Sequence, residues 1–179
     1  VIKDSVIKVE QKNNKIIFSG ESDRDFKSII NYYFDLETNY SDYKNKLSKV
    51  DEFLSESIKF GEGIRILKQD LWECIISFII SANNNIPRIK KIIERLSEKY
   101  GEKIVFDDKE YYKFPTPEAL GKASVQDLRD LGVGFRDKRI YNTTKMVLEK
   151  QVDLEKIEKL ENTNLMRDEL LKLDGVGPK

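Results

Sequence analysis

A short glycine-rich pattern at the end of the sequence contains residue types that can hold an anion. Leu173-Asp174-Gly175-Val176-Gly177-Pro178-Lys179 follows a segment with helical periodicity. Because glycine reaches positive φ at little cost, the chain can turn sharply between Gly175 and Gly177 and leave amide N–H groups free for a phosphate. An ordinary helix C-cap explains Gly-Val-Gly about as well, but the flanking leucine and Pro-Lys favour a hairpin. Lys179 adds an amine, which is a nucleophile once it has lost its proton.

Three consecutive asparagines, Asn83-Asn84-Asn85, follow an apolar segment and precede Arg88. An asparagine side chain both donates and accepts hydrogen bonds, so it can replace the hydrogen-bonding edge of a nucleobase. Arginine can donate two parallel hydrogen bonds to a base. A capped turn with solvated amides is the usual interpretation of a single asparagine. Three in a row with an arginine after them favour a nucleic-acid binding site.

Leu131-Gly132-Val133-Gly134-Phe135-Arg136 repeats the C-terminal pattern, with a helix end, then Gly-Val-Gly, then a basic residue. An aromatic ring on such a loop can insert beside a displaced base and support a kink in DNA. From the sequence alone, Phe135 fits a core position as well as an exposed one. The adjacent Arg136 favours the exposed, DNA-contacting interpretation.

These motifs, together with the segment 60–70, resemble the 8-oxoguanine DNA glycosylases of the helix-hairpin-helix, or endonuclease III, superfamily. The resemblance covers essentially the whole chain and is strongest from Phe60 onward. It implies a bifunctional DNA glycosylase and abasic-site lyase of base excision repair, acting on double-stranded DNA that contains an oxidised purine. The segment 60–70 would have a structural role in helix capping and packing.

The resemblance also implies a role for each candidate residue. Lys179 would attack C1′ of a flipped-out 8-oxoguanine nucleotide, expel the base and form a Schiff base that permits β-elimination. Asn83 would fill the gap left by the base, and Arg88 and Arg136 would hold the estranged cytosine. Phe135 would be the wedge, at a position where family members can have tyrosine. The hairpin that would bind a DNA phosphate consists of Gly175, Val176 and Gly177.

Hairpins of this family often hold a monovalent cation through backbone carbonyls, and the matching carbonyls are those of Leu171, Leu173 and Val176. We expect Na⁺ or K⁺ there and no other required cofactor. Since a single cysteine suits a reducing compartment, we expect a cytoplasmic protein, associated with the nucleoid if it is bacterial. We also expect a monomer with no membrane association.

The sequence departs from the family pattern in two places. The family's catalytic aspartate lies beyond the lysine, whereas this sequence stops at Lys179. The N-terminal segment that reads the oxidised purine and the C-terminal residues that sandwich it are also not found here. We therefore expect a fragment that ends at the catalytic lysine, folds poorly alone and is inactive alone.

Composition narrows the possible chemistry. The sequence has 32 basic and 32 acidic residues, one cysteine and no histidine. Without histidine, His-based acid–base catalysis and most zinc sites are excluded. A net charge of zero argues against a nucleic-acid partner, but basic residues gather in 82–100 and 135–150 and could meet phosphates there. The longest apolar run, 74–80, is too short to span a membrane.

Several elements are predicted to position these motifs. Alternating apolar residues predict a β-hairpin from residues 5–9 and 15–19, which we expect to join a larger sheet. Helical spacing predicts helices at 26–34, 47–60, 72–80, 86–96, 140–148 and 165–173, with short helices after Thr116 and Ser124. The sequence thus predicts a mainly α fold, with a partial α+β domain at 1–62 and a helical glycosylase domain at 63–179.

Two other hypotheses remain open. The same fold could act on another damaged base, such as an alkylated base or an oxidised pyrimidine. The lack of a cysteine cluster argues against the iron–sulfur members of the superfamily. A non-catalytic helix-hairpin-helix module would bind DNA without cleaving it, but it gives the asparagines and the Phe135 loop no role. A purely structural helical protein ranks below both.

Overall fold

A computed structural model describes residues 1–2, 4–21 and 25–178 of the chain. Contacts divide these residues into two compact units. The α+β unit comprises 8–69, and the helical unit comprises 1–7 and the residues from Asp70 onward. The mainly α fold with an α+β part is confirmed. The domain boundary predicted after Glu62 stays a prediction, and the division by contacts falls seven residues later, after Gln69.

The predicted hairpin is present near the N-terminus, and all of it from Lys8 onward belongs to the α+β unit. Strands β1 (Val6–Lys12) and β2 (Lys15–Glu21) pair through a two-residue turn in which Asn13 and Asn14 have φ of +47° and +59°. Asparagine tolerates this left-handed conformation better than most residues, which explains why the turn forms here. In the described part of the chain this sheet has two strands, so the larger sheet expected from the sequence is not seen.

Three helices follow: α1 (Phe26–Tyr33), α2 (Tyr40–Leu47) and α3 (Glu52–Phe60). The single helix predicted over 47–60 is wrong in its first part, because Leu47 is the last residue of α2. Asp51 starts α3 by accepting a hydrogen bond from the N–H of Leu54 at 2.8 Å. Aspartate at this position satisfies a free amide of the first turn and so favours a new helix start.

The helical unit contains seven helices and a second hairpin among the described residues. Its elements are α4 (Leu71–Ser81), α5 (Ile86–Tyr100), β3 (Lys103–Phe106), β4 (Lys109–Tyr112), α6 (Pro117–Leu120), α7 (Val125–Leu128), α8 (Asp137–Leu148), α9 (Leu154–Glu158) and α10 (Thr163–Leu170). A π-helical turn, Arg129–Val133, and a 3₁₀ turn, Gly134–Arg136, connect α7 to α8. The β3–β4 hairpin and α9 were not predicted. The helix predicted over 165–173 starts and ends earlier than expected.

Helix α4 is the centre of the helical unit. Ile76, Ile79 and Ile80 are at most 1% exposed and pack into one apolar cluster with residues of α5, α6, α7, α8 and α9. Burial of each such side chain contributes roughly 1.5–3 kcal/mol. Asp70 begins the helix by accepting from the N–H of Glu73 at 3.0 Å, as the sequence predicts. The loops at the carboxyl end of α4 are therefore held against a rigid core.

No helix in the described ranges is long and apolar enough to cross a membrane.

Candidate nucleic-acid interface

The asparagine loop, Ala82–Asn85, connects α4 to α5. Asn84 donates from its amide to the carbonyl of Ile80 at 3.0 Å, and Asn85 caps α5 by accepting from the N–H of Arg88 at 3.0 Å. These two asparagines therefore have structural roles. Asn83 differs from both, because its φ is +49° and its exposed side chain makes no hydrogen bond with the described residues. Its amide is available to a ligand.

Arg88 lies on the first turn of α5 and is exposed, as expected for a residue that contacts a ligand. One of its terminal nitrogens, Nη2, donates to the carbonyl of Gly132 at 3.2 Å. This hydrogen bond connects the start of α5 to the second glycine motif. The remaining donors of the guanidinium make no hydrogen bond with the described residues, so they can still bind a planar acceptor.

The second glycine motif, Leu131–Arg136, forms a loop that we call the wedge loop. Gly132 and Gly134 have φ of +89° and +65°, a backbone conformation that residues with a side chain rarely adopt. Val133, between them, is fully buried. Phe135 is 60% exposed. The ring is therefore not part of the core, and the loop presents it to solvent as the wedge interpretation requires.

Arg136 is 2% exposed, although the sequence suggested a residue that reaches DNA. Its guanidinium donates through Nε and Nη2 to the carbonyl of Ala82, through Nη2 to that of Asn83, and through Nη1 to that of Val133. Four of the five N–H donors of an arginine are thus engaged within the protein. The predicted contact with cytosine stays a prediction. What the sequence did not reveal is that Arg136 holds the asparagine loop against the wedge loop.

Arg136 has two positively charged neighbours, Arg88 and Arg139. Burial, and then the charges of Arg88 and Arg139, lower its pKa from the ordinary value for arginine. The guanidinium carbons of Arg136 and Arg139 lie 4.4 and 6.0 Å from the centroid of the Phe135 ring. Cations near the face of an aromatic ring are attracted to it, so both arginines help to hold the ring in place. A phosphate near this loop would relieve the repulsion among the three charges.

The C-terminal hairpin lies after α10. Leu173 is buried and Val176 is partly buried against the same core, as the hairpin interpretation expects. The N–H of Val176 donates to the carbonyl of Leu173 at 3.2 Å, which closes a tight turn in which Gly175 has φ of +92°. Gly177 follows with its backbone exposed. The three hairpin residues proposed to bind phosphate therefore form a turn at the surface.

Helix α8 anchors this hairpin. Thr143, which is fully buried, donates from its hydroxyl to the carbonyl of Asp174 at 2.7 Å. Asn142 donates from its amide to the carboxylate of Asp174, also at 2.7 Å. Two neighbouring side chains of one helix thus fix the backbone and the side chain of a single hairpin residue. No local pattern in the sequence predicts this contact, because the partners are more than 30 residues apart.

Arg139 connects the hairpin to the wedge loop. Its side chain packs directly on Gly175, so closely that a Cβ at that glycine would lie 3.0 Å from Arg139 Cδ and 3.1 Å from its Cβ. The guanidinium of the same side chain faces the ring of Phe135. The asparagine loop, the wedge loop and the hairpin therefore border one surface of the helical unit.

The predicted nucleophile and the predicted cation site are not fully described by the structure. Lys179 lies outside the described residues. Leu171, Leu173 and Val176 lie in or beside the hairpin turn, and the carbonyl of Leu173 already accepts the hydrogen bond from Val176. A carbonyl oxygen has a second lone pair, so this turn is compatible with a monovalent cation, which stays a prediction. The described residues contain no cluster of three metal-ligating side chains.

A helical unit closed by a glycine hairpin is the arrangement shared by helix-hairpin-helix DNA-binding proteins. Residues 76–166 match the family model of the HhH-GPD superfamily base excision DNA repair proteins. Residues 1–75 match the model of the N-terminal domain of 8-oxoguanine DNA glycosylase. The chain therefore belongs to the HhH-GPD superfamily of base excision DNA repair proteins.

Individual proteins agree with this assignment. An N-glycosylase/DNA lyase of Saccharomyces cerevisiae is 38% identical over 129 residues, which are 66% of this chain and 34% of the yeast protein. The apo structure of the Clostridium acetobutylicum 8-oxoguanine glycosylase/lyase matches with a TM-score of 0.91 at 41% identity, over 97% of this chain and 60% of that one. Its complex with double-stranded DNA containing cytosine opposite 8-oxoguanine matches with a TM-score of 0.89 at 41% identity, over 96% and 59%. The chain thus spans about a third of the yeast relative and three fifths of the clostridial one.

Proposed function

We propose that the protein is a DNA glycosylase with abasic-site lyase activity that removes 8-oxoguanine from double-stranded DNA in base excision repair. The observation that carries this proposal is the meeting of three loops on one surface. Arg136 joins the asparagine loop to the wedge loop, and Arg139 joins the wedge loop to the hairpin. The similarity to the clostridial glycosylase/lyase supports the choice of 8-oxoguanine as the substrate.

The exposed side chains of this surface suit a flipped-out nucleotide. In the proposed complex the exposed amide of Asn83 would occupy the space that the extruded base leaves, and the exposed ring of Phe135 would support the kink. The side chain of Arg88 retains donors for the estranged cytosine, since its one hydrogen bond to the described residues goes to the carbonyl of Gly132. In the proposed complex Arg136 contributes mainly by holding these groups in position.

Lys179 would supply the chemistry. In the proposed reaction its neutral amine attacks C1′, and the bond between C1′ and the base breaks, with the electron pair leaving on the base, which takes up a proton. The adduct nitrogen then loses a proton, and the bond between C1′ and O4′ breaks with its electron pair going to O4′, which takes up a proton. The resulting Schiff base allows a proton to leave C2′ and the bond from C3′ to its phosphate oxygen to break. The hairpin amides around Gly175 and Gly177 would bind a nearby phosphate during this sequence.

Borohydride trapping tests the proposal on the full-length protein. Reduction of the Schiff base should link the protein covalently to a duplex that carries 8-oxoguanine opposite cytosine. The Lys179→Gln variant should give no cross-link, although it should bind the same duplex. An undamaged duplex of the same sequence is the matched DNA control.

Each other outcome identifies a different error. A cross-link that persists in Lys179→Gln would show that another amine is the nucleophile. The protein could instead cross-link to a duplex with an alkylated base or an oxidised pyrimidine but not to one with 8-oxoguanine. The proposed glycosylase and lyase activity would then stand, and the proposed substrate would be wrong. Salt-dependent DNA binding with no cross-link to any lesion would leave a non-catalytic binding module.

A further inference from the structure

Five arginines surround the wedge loop, and four of them are used within the protein. Arg136 donates to three carbonyls, and Arg129 pairs with the carboxylate of the buried Asp137 at 2.6 Å. Arg88 donates to the carbonyl of Gly132 at 3.2 Å, and Arg95 donates to the carbonyl of Leu131 at 3.3 Å. The fifth is Arg139, whose guanidinium makes no hydrogen bond or ion pair with any described residue.

The position of Arg139 is nevertheless well defined. Its aliphatic stem packs on Gly175, and its charged end lies near the ring of Phe135, on the side of the surface where hairpin and wedge loop meet. A long side chain whose stem is held loses less freedom when its end binds a ligand. Two acidic side chains lie close to Arg139 in the sequence or in the hairpin, and both have other partners. Asp137 forms an ion pair with Arg129, and Asp174 accepts a hydrogen bond from Asn142.

We propose that Arg139 binds one backbone phosphate of the DNA, between the wedge loop and the C-terminal hairpin. This inference rests on the proposed function and adds a phosphate-binding residue to that site. A guanidinium matches two phosphate oxygens at once, and that of Arg139 has no hydrogen bond to a described residue that it would have to break first. The bound phosphate also offsets the repulsion of Arg139 by the buried charge of Arg136, which forms no ion pair with a carboxylate of the described residues.

The salt dependence of DNA binding tests this inference in the full-length protein. Each phosphate that a protein neutralises contributes about 0.9 to the slope of log K against log salt concentration. Arg139→Gln should therefore lower the magnitude of this slope by about 0.9 and weaken binding about eightfold at 0.1 M salt. Glutamine keeps Cβ and Cγ, so the packing on Gly175 is retained.

Two further variants separate a phosphate contact from a change in net charge. Lys138→Gln removes one positive charge from the neighbouring position of α8, where the side chain is exposed. It should change the slope much less than Arg139→Gln. Arg139→Lys should keep most of the slope, because the charge is retained.

Neutral methylphosphonate substitutions, placed one at a time on both strands around the lesion, locate the contact. At one phosphate the substitution should weaken binding of the wild type and of Lys138→Gln but have little further effect on Arg139→Gln. Equal slopes for Arg139→Gln and Lys138→Gln, or no position with this pattern, would overturn the inference and leave the proposed function standing. A wild-type protein that binds no DNA would instead overturn both.

Discussion

The two Gly-Val-Gly motifs have the same sequence but different backbones and different supports. In the wedge loop both Gly132 and Gly134 have positive φ, whereas in the hairpin only Gly175 does and Gly177 does not. The carbonyls of the wedge loop accept hydrogen bonds from arginines. The hairpin is instead held by the neutral side chains of α8 that bond to Asp174.

This difference explains what each turn can present. The second positive φ of the wedge loop reverses the chain so that Phe135 points to solvent while Val133 stays in the core. The hairpin continues with ordinary backbone after Gly175 and leaves Gly177 exposed. The wedge loop therefore exposes the side chain of Phe135 beside arginines, and the hairpin exposes the backbone of Gly177.

The largest effect is expected from Arg136→Met. Methionine has a similar length but no donors, so the carbonyl of Val133 loses its partner in a buried position and those of Ala82 and Asn83 lose theirs in partly buried positions. We expect the free energy of unfolding to fall by about 3 kcal/mol, measured by denaturant unfolding of the full-length protein. Arg88→Met, which removes one hydrogen bond at an exposed position, should cost less than about 1 kcal/mol. Equal losses of unfolding free energy in the two variants would show that Arg136 does not hold the asparagine loop against the wedge loop.

Gly134→Ala should have the next largest effect. Gly134 has φ of +65° and ψ of −139°, a combination that residues with a Cβ strongly avoid. We expect a loss of about 2 kcal/mol in the free energy of unfolding. Gly177→Ala, at the matching position of the hairpin, should not show this loss. A wedge loop that tolerates alanine as well as the hairpin does would contradict the backbone difference.

The features that the sequence predicted are those that neighbouring residues determine. Glycine at 132, 134 and 175 and asparagine at 85 act on the backbone within a few residues, so turns and caps follow from spacing. The break between α2 and α3 and the β3–β4 hairpin were missed, although Asp51 and the Asp107-Asp108 turn, with φ of +53° and +56°, were local signals for them.

The supports of the site could not be predicted in this way. The hydrogen bonds of Arg136 to Ala82 and Asn83 join residues 54 and 53 positions apart, and Arg88 is 44 positions from Gly132. Such contacts exist only once α4, α5 and α8 are packed together. The types and spacing of the residues suggested which ones contact DNA, but they did not distinguish Arg136, which is buried, from Arg139, which is exposed.

Alanine substitutions of the first glycines of the two motifs, Gly132 and Gly175, should differ less in their effect on stability. Alanine at either position adopts a left-handed conformation, which costs about 1–2 kcal/mol. At Gly175 the new Cβ also meets Arg139 Cβ at 3.1 Å, an atom fixed by α8, whereas at Gly132 it meets only the flexible end of Arg95 at 3.2 Å. We therefore expect Gly175→Ala to destabilise more than Gly132→Ala, as thermal unfolding of the two variants can measure. The reverse order would mean that Arg139 does not pack on the hairpin as described.

The smallest effect on stability is expected from Gly177→Ala. Nothing lies within 4 Å of a Cβ at this position, and the backbone conformation is one that alanine adopts. The free energy of unfolding should change by less than about 0.5 kcal/mol. Affinity for lesion-containing DNA should still fall, because a methyl group would stand where the exposed backbone approaches a phosphate. A variant with unchanged affinity would show that the hairpin holds its phosphate through Gly175 and Val176 without a close approach at Gly177.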